Sequence, residues 1–199
     1  MQGFSDYLFA VMKTVRLPIW ARRFDFDNGF MQIPLKTGMM FLTTNSFYDF
    51  YAEYSKEWER DYIPDSGLRG KTVLDIGAGC GESAILFLQA QASKVICIEP
   101  DEYAYNALVV NSAINNWNLT TIQDNFHSDY IERFQPDFCK IDCEGGEREL
   151  LKLDKLPCMV VEIHGRELYE KFKKKFPQMQ IRKRDHWRPL WIGKVRLNI

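Results

Sequence analysis

The chain predicts an α/β fold, a mainly parallel seven-stranded sheet doubly wound by helices, and three observations carry that prediction. From about residue 72 onward, short apolar runs rich in Val and Ile alternate with segments of helical period, the pattern of successive β-α units. The run Thr72-Val73-Leu74-Asp75-Ile76-Gly77-Ala78-Gly79-Cys80-Gly81-Glu82 reads as a buried strand, a glycine turn and the start of a helix. Residues 180–184 and 190–197 are two further strand-like runs around a turn near 185–189, which predicts an antiparallel C-terminal hairpin strand at the sheet's edge.

The elements follow in order. Phe4, Leu8, Val11 and Val15 recur at helical spacing, and Pro18 stops that helix. Phe24 to Phe41 is rich in Gly, Asn and Pro, with Asn28-Gly29 as a turn signal. Phe47 to Trp58 reads as a second helix dense in aromatic residues, capped by Asn45 or Ser46. Pro64-Asp65-Ser66-Gly67 is a loop and a boundary, so residues 1–67 form a mostly helical extension and residues 68–199 the sheet domain. The extension is expected to cover the substrate side of the sheet as a lid, or to pack as core. The expected strands are 72–76, 94–98, 119–123, 138–142, 158–164, 180–184 and 190–197. Helices are expected at about 82–91, 101–115 and 165–175.

Composition bounds the function. Hydrophobic residues at 46% and charged residues at 27% are those of an ordinary globular domain. A net charge of -1 supplies no global field for nucleic acid. The distribution is uneven, because residues 166–199 hold eleven Lys/Arg against three Asp/Glu. That excess fits either a solvated face or an anion-facing surface. Arg182 to Arg188 mixes basic and aromatic residues and leaves the same two readings open. The five cysteines at 80, 97, 139, 143 and 158 show no C-x-x-C pair, which points to reduced thiols and a cytoplasmic setting. No apolar run approaches 18 residues, so no membrane span is expected.

In parallel sheets ligands bind beyond the carboxyl ends of the strands. That places Asp75, Gly77, Ala78, Gly79, Gly81 and Glu82 around one turn, with Glu99 and Pro100 ending the next strand. Glycines there let the backbone approach a ligand, and the following helix aims free N–H groups at it. The dinucleotide fingerprint G-x-G-x-x-G would put its third glycine at 82, where the chain has Glu82. The chain instead has D-x-G-x-G-x-G, with Asp75 inside the strand end, and a carboxylate there is poor company for a pyrophosphate and suits a ligand bearing a cation. Glu99 is placed to accept from two ribose hydroxyls, or to pair with a helix dipole. Asp124 and Asn125 follow the third strand, where Asp124 accepts from an adenine amino group or initiates a turn.

The glycine pattern resembles the first motif of class I methyltransferases that use S-adenosylmethionine, and it implies a Rossmann-like fold and that cofactor. Lys140-Ile141-Asp142-Cys143-Glu144-Gly145-Gly146-Glu147, together with Val160-Val161-Glu162-Ile163-His164-Gly165, resembles the FkbM-type methyltransferases over about residues 70–199. The resemblance implies methyl transfer to oxygen on a small molecule or glycan. Asp142 or His164 is then the expected base, with Glu144 assisting. A metal-free site is expected; a divalent cation held by Asp142, Glu144 and Glu162 is the weaker variant. RNA methylation or RNA binding through the basic C-terminal region is the alternative, and a nicotinamide-dependent oxidoreductase is the less favoured one.

Overall fold

A computed structural model describes residues 26–27, 30–35, 38–43, 57–184 and 189–195. The helix expected at 4–15 and the turn at 185–188 lie outside the described residues.

Seven strands form the main sheet: β4 (Thr72–Ile76), β5 (Lys94–Ile98), β6 (Leu119–Ile122), β7 (Phe138–Ile141), β8 (Met159–His164), β9 (Gln180–Lys183) and β10 (Leu190–Val195). Their spatial order is β6-β5-β4-β7-β8-β10-β9. The first five run parallel, and β10 is antiparallel to both β8 and β9. The expected Rossmann-like architecture is therefore present, with one correction. The antiparallel strand is not the edge. β10 inserts beside β8, and β9 takes the edge. The physical reason is burial: Ile192 and Gly193 of β10 are buried, whereas β9 exposes Gln180, Arg182 and Lys183. A charged, polar strand is the one a sheet can leave at its rim.

Strand alternation divides the core into two layers. Val73, Val95, Cys97, Phe138, Val160 and Ile192 face one side, packed under α2 (Glu82–Gln89) and α3 (Glu102–Ile114). Leu74, Ile76, Ile96, Ile98, Ile141, Val161 and Ile163 face the other, packed against α4 (Asp129–Phe134), a 3-10 helix (Gly146–Lys152) and α5 (Arg166–Lys175). Burial on both faces explains why these strands read as continuous apolar runs. Asp101 caps α3, its Oδ1 accepting from Ala104 N–H at 2.8 Å. Neither α4 nor the 3-10 helix was expected; both are six or seven residues long, too short for a periodic signal.

The extension differs most from expectation. Residues 26–43 contain an antiparallel meander of β1 (Phe26–Asp27), β2 (Phe30–Leu35) and β3 (Gly38–Thr43). β1 and β2 flank the Asn28-Gly29 turn signal, whose two residues lie outside the described residues. The expected helix at 47–58 overlaps the described residues only at 57–58, where α1 (Glu57–Tyr62) begins. Two anchors join the extension to the sheet domain. Asn111 of α3, fully buried, accepts from Phe41 N–H at 2.7 Å and donates to Phe41 O and Cys80 O at 2.8 Å each. At the other end Arg182 bonds Asp61, and Lys194 Nζ donates to Arg60 O at 2.9 Å. Among the described residues, no helix is long and apolar enough to cross a membrane.

Candidate active site

The site lies where β4 and β7 part at their carboxyl ends. Gly77 has φ +70°, and a Cβ added there would stand 1.6 Å from the Asp142 carbonyl oxygen. Only glycine allows the β4 turn to press against the β7 turn this closely. Gly77→Ala is expected to cost about 3 kcal/mol of stability, combining overpacking with a left-handed backbone. Urea unfolding checks this; a midpoint within error of the parent would remove the packing argument.

Lys140 locks the turn from beneath. It is 3% exposed, its Nζ donates to Gly77 O at 2.6 Å, and it stands 3.3 Å from Asp75 Oδ1. Asp75 is fully buried and takes the Ser83 hydroxyl at 2.6 Å on Oδ2. Asp75 therefore lies behind the glycine turn rather than in the cleft. Burial opposes a charge on Lys140, but Asp75 and Asp142 outweigh that and hold its pKa above 10.5.

A cleft of ≈ 260 Å³ opens above the turn, lined by Tyr62, Gly77, Gly79, Glu82, Glu99, Lys140, Asp142 and Glu144, among others. Glu99 forms its floor. Its Oε2 accepts from Gly79 N–H at 2.8 Å and its Oε1 from Asp101 N–H at 2.9 Å. Burial pushes its carboxyl up, and the two N–H donors oppose that. Each oxygen keeps a lone pair for a ligand. Glu82, 5% exposed, begins α2 and crowds Gly79, where an added Cβ would stand 2.7 Å from Glu82 Oε2. The helix N-terminus is thus occupied by a carboxylate, and the cleft wall carries Glu82, Glu99, Asp142 and Glu144 against one buried lysine. Ala78 and Pro100 also line it, while Gly81, at φ +101°, packs by Leu108 and Trp117 behind it.

Asp142, Glu144 and His164 come together at the mouth. His164 Nε2 is 3.8 Å from Asp142 Oδ1 and 3.7 Å from Glu144 Oε1. Behind the ring, fully buried Glu147 accepts from the His164 N–H at 2.7 Å and lies 3.2 Å from Nδ1; its other oxygen takes Gly145 N–H at 2.6 Å. An ionised carboxylate only accepts, so Nδ1 carries the hydrogen and Nε2 faces the two acids. Burial lowers the pKa of His164, but Glu147, Asp142 and Glu144 together raise it above 6.5.

Glu162 does not join that group. It pairs with Arg184 and the Tyr62 hydroxyl, and the phenol oxygen is also 3.2 Å from Asp142 Oδ2. Arg182 and Arg184, which sequence offered to phosphates, are bonded to Asp61 and Glu162. Asp124 and Asn125 stand outside the cleft's lining. Asp124 accepts from Tyr130 Oη at 2.5 Å and from Asn125 N–H at 2.8 Å. Cys143 lines the cleft, but burial pushes its thiol far up, so it is no nucleophile. Tyr62, Lys140, Glu147 and Asn111 were given no role from sequence. Lys140 and Glu147 sit inside the motif at 140–147, so their place there was the available signal; Tyr62 and Asn111 carried none.

No family model matches the chain. The electron transfer flavoprotein beta subunit lysine methyltransferase of Mus musculus is 41% identical over 51 residues, 26% of this chain and 20% of that protein. The Homo sapiens protein of the same description is 39% identical over the same length and the same shares of each chain. The match thus spans a fifth of these curated relatives. Among solved structures, the T. thermophilus 16S rRNA N2 G1207 methyltransferase in complex with AdoMet and guanosine superposes with a TM-score of 0.59 at 13% identity. That superposition covers 84% of this chain and 50% of the other. The C-terminal domain of precorrin-6Y C5,15-methyltransferase from Rhodobacter capsulatus gives 0.52 at 15% identity, covering 63% and 79%. At these identities the likeness establishes a shared fold, one on which methyltransferases are built.

Proposed function

We propose that this chain is an S-adenosylmethionine-dependent methyltransferase acting on a hydroxyl of a small molecule or sugar, of FkbM type. The observation that carries the reading is the acidic cleft over the glycine turn. Glu99 sits where ribose hydroxyls would bond, and Glu82 blocks the place a pyrophosphate would need. A ligand with a sulfonium and an ammonium group, and no phosphate, fits that charge pattern. The short 51-residue match and the shared fold agree with the reading.

When bound, S-adenosylmethionine supplies a methyl group on positively charged sulfur for in-line displacement. The chain's own residues do the remainder. Glu99 and the N–H groups of the turn orient the cofactor's sugar end. Asp142 or His164 takes the proton of the acceptor's hydroxyl, with Glu144 orienting or assisting. Glu147 fixes the imidazole so that Nε2 faces the reaction.

Calorimetric titration with S-adenosylmethionine and, separately, NAD tests the cofactor half of this reading. Binding of the first alone supports it and justifies an acceptor screen beginning with sugars. Binding of NAD alone overturns it. RNA is the second reading, favoured by the exposed lysines 171, 173, 174 and 175 of α5. Its signature is RNA affinity that falls steeply with salt.

A further inference from the structure

We infer that Asp142, Glu144 and His164 form a binding site for one divalent cation of the size of Mg2+ or Mn2+. Each offers one donor atom, and the three lie within 4.8 Å of one another. The separations from His164 Nε2, 3.7 and 3.8 Å, are too long for hydrogen bonds and too short to be unrelated. Adjacent donors on an octahedral ion at about 2.1–2.2 Å stand about 3.0 Å apart, so the three side chains would close in by under about 1 Å from Nε2 to hold one.

Two further observations point to a ligand between them. The first is Glu147, a fully buried carboxylate on the far nitrogen of the ring. A carboxylate–histidine pair that fixes the tautomer and turns Nε2 toward other donors is the arrangement that orients metal-bound histidines. The second is the lack of a Lys or Arg partner in contact with either acid. Among the described residues, no Lys or Arg forms an ion pair with Asp142 or Glu144, whereas Glu162, one strand position away, has Arg184. The nearest lysine, Lys140, is committed to Asp75 and Gly77 O. The two carboxylates are hard oxygen donors that suit Mn2+ and Mg2+, while the imidazole is a borderline nitrogen donor that also suits Zn2+ and Fe2+. Three protein donors leave coordination positions open toward the cleft that Asp142 and Glu144 also line.

The acceptor class follows, and this part rests on the methyl-transfer reading. An ion with open neighbouring positions binds an acceptor through two adjacent oxygens, so a vicinal diol or a 2-hydroxy acid fits better than an isolated alcohol. With the cation bound, Asp142, Glu144 and His164 would serve as its ligands in place of the base and assisting roles given above, the ion would lower the hydroxyl's pKa, and the hydroxyl's proton would leave to water in the open cleft.

The test is titration of the whole chain with Mn2+, following free Mn2+ by electron paramagnetic resonance, on the parent, Glu144→Gln, His164→Ala and Glu147→Gln. S-adenosylmethionine titrations run beside it. One saturable Mn2+ per chain is expected, with affinity lowered at least tenfold in Glu144→Gln and His164→Ala. Glu147→Gln, which touches no ion, is expected to weaken it about 10–100-fold. Glu144 is 88% exposed, so its substitution leaves folding intact even if the others do not. No saturable site, or parent affinity kept in Glu144→Gln and His164→Ala, means an adventitious ion only and overturns the inference. Mn2+ binding without S-adenosylmethionine binding would keep the cation site and sink the methyltransferase reading; the reverse would do the opposite.

Discussion

Glu99→Ala is expected to raise the dissociation constant for S-adenosylmethionine by two to three orders of magnitude. The carboxylate has two losses to register. The ribose hydroxyls lose a charged acceptor, each such bond being worth about 1.5–3 kcal/mol. The Gly79 and Asp101 N–H groups lose the acceptor that ties the glycine turn to the start of α3. Together about 3–4 kcal/mol of binding disappears, the stated change in affinity. Glu99→Gln keeps the shape and one acceptor oxygen, so an intermediate value is expected. Calorimetry reads both, with thermal melts to show that the variants are folded. An unchanged constant in folded Glu99→Ala would mean that the cofactor, if bound, does not use this floor.

Lys140→Met is expected to be the most destabilising single change in the site, about 3–5 kcal/mol at neutral pH, because it leaves Asp75 charged and buried without its cation. The pH dependence follows from the sign of the shift. The folded pKa of Lys140 is above 10.5, so its contribution is complete below that value and is lost only as pH rises through the folded pKa. In the parent this contribution is constant across the neutral range. In the variant, burial and the Asp142 charge push the Asp75 carboxyl up against the Ser83 hydroxyl alone, so falling pH lets it take a proton and become neutral. The stability gap between parent and variant should therefore narrow as pH falls. Lys140→Met with Asp75→Asn should recover much of the loss. Denaturant unfolding at several pH values measures all of this. A pH-independent gap, or a double variant no better than the single, would show that the Asp75–Lys140 pair does not carry the cost.

The two results read different halves of the same turn. Glu99 lines the cleft, and Lys140 bonds Gly77 O and pairs with Asp75 beneath the turn. Sequence placed Asp75 with the ligand-binding group because a strand-end acid next to a glycine turn is usually exposed to the cleft. Here β7 brings Lys140 alongside it, 65 positions later in the chain, in register with Asp75. The lysine's amine then occupies the volume under the turn, and Asp75 becomes its counter-ion.

Local pattern alone determined most of the sheet, since β4 through β8 are short, buried runs bounded by turns, and their ends in sequence are their ends in space to within a residue or two. It also determined the glycine turn, Glu99 at the end of β5, and the gathering of Asp142, Glu144 and His164 at adjacent strand ends, because parallel strands present their carboxyl ends together. What only tertiary structure decided depends on partners distant in the chain. The β10 insertion rests on competition between two strands for burial. The meander at 26–43 is held by Asn111 on α3. Tyr62 reaches Glu162 only because α1 docks through Asp61 on Arg182. Glu147 orients His164 only because the 3-10 helix folds back along β8. Period and composition report which face a residue takes; they carry no record of which side chain from another element will meet it there.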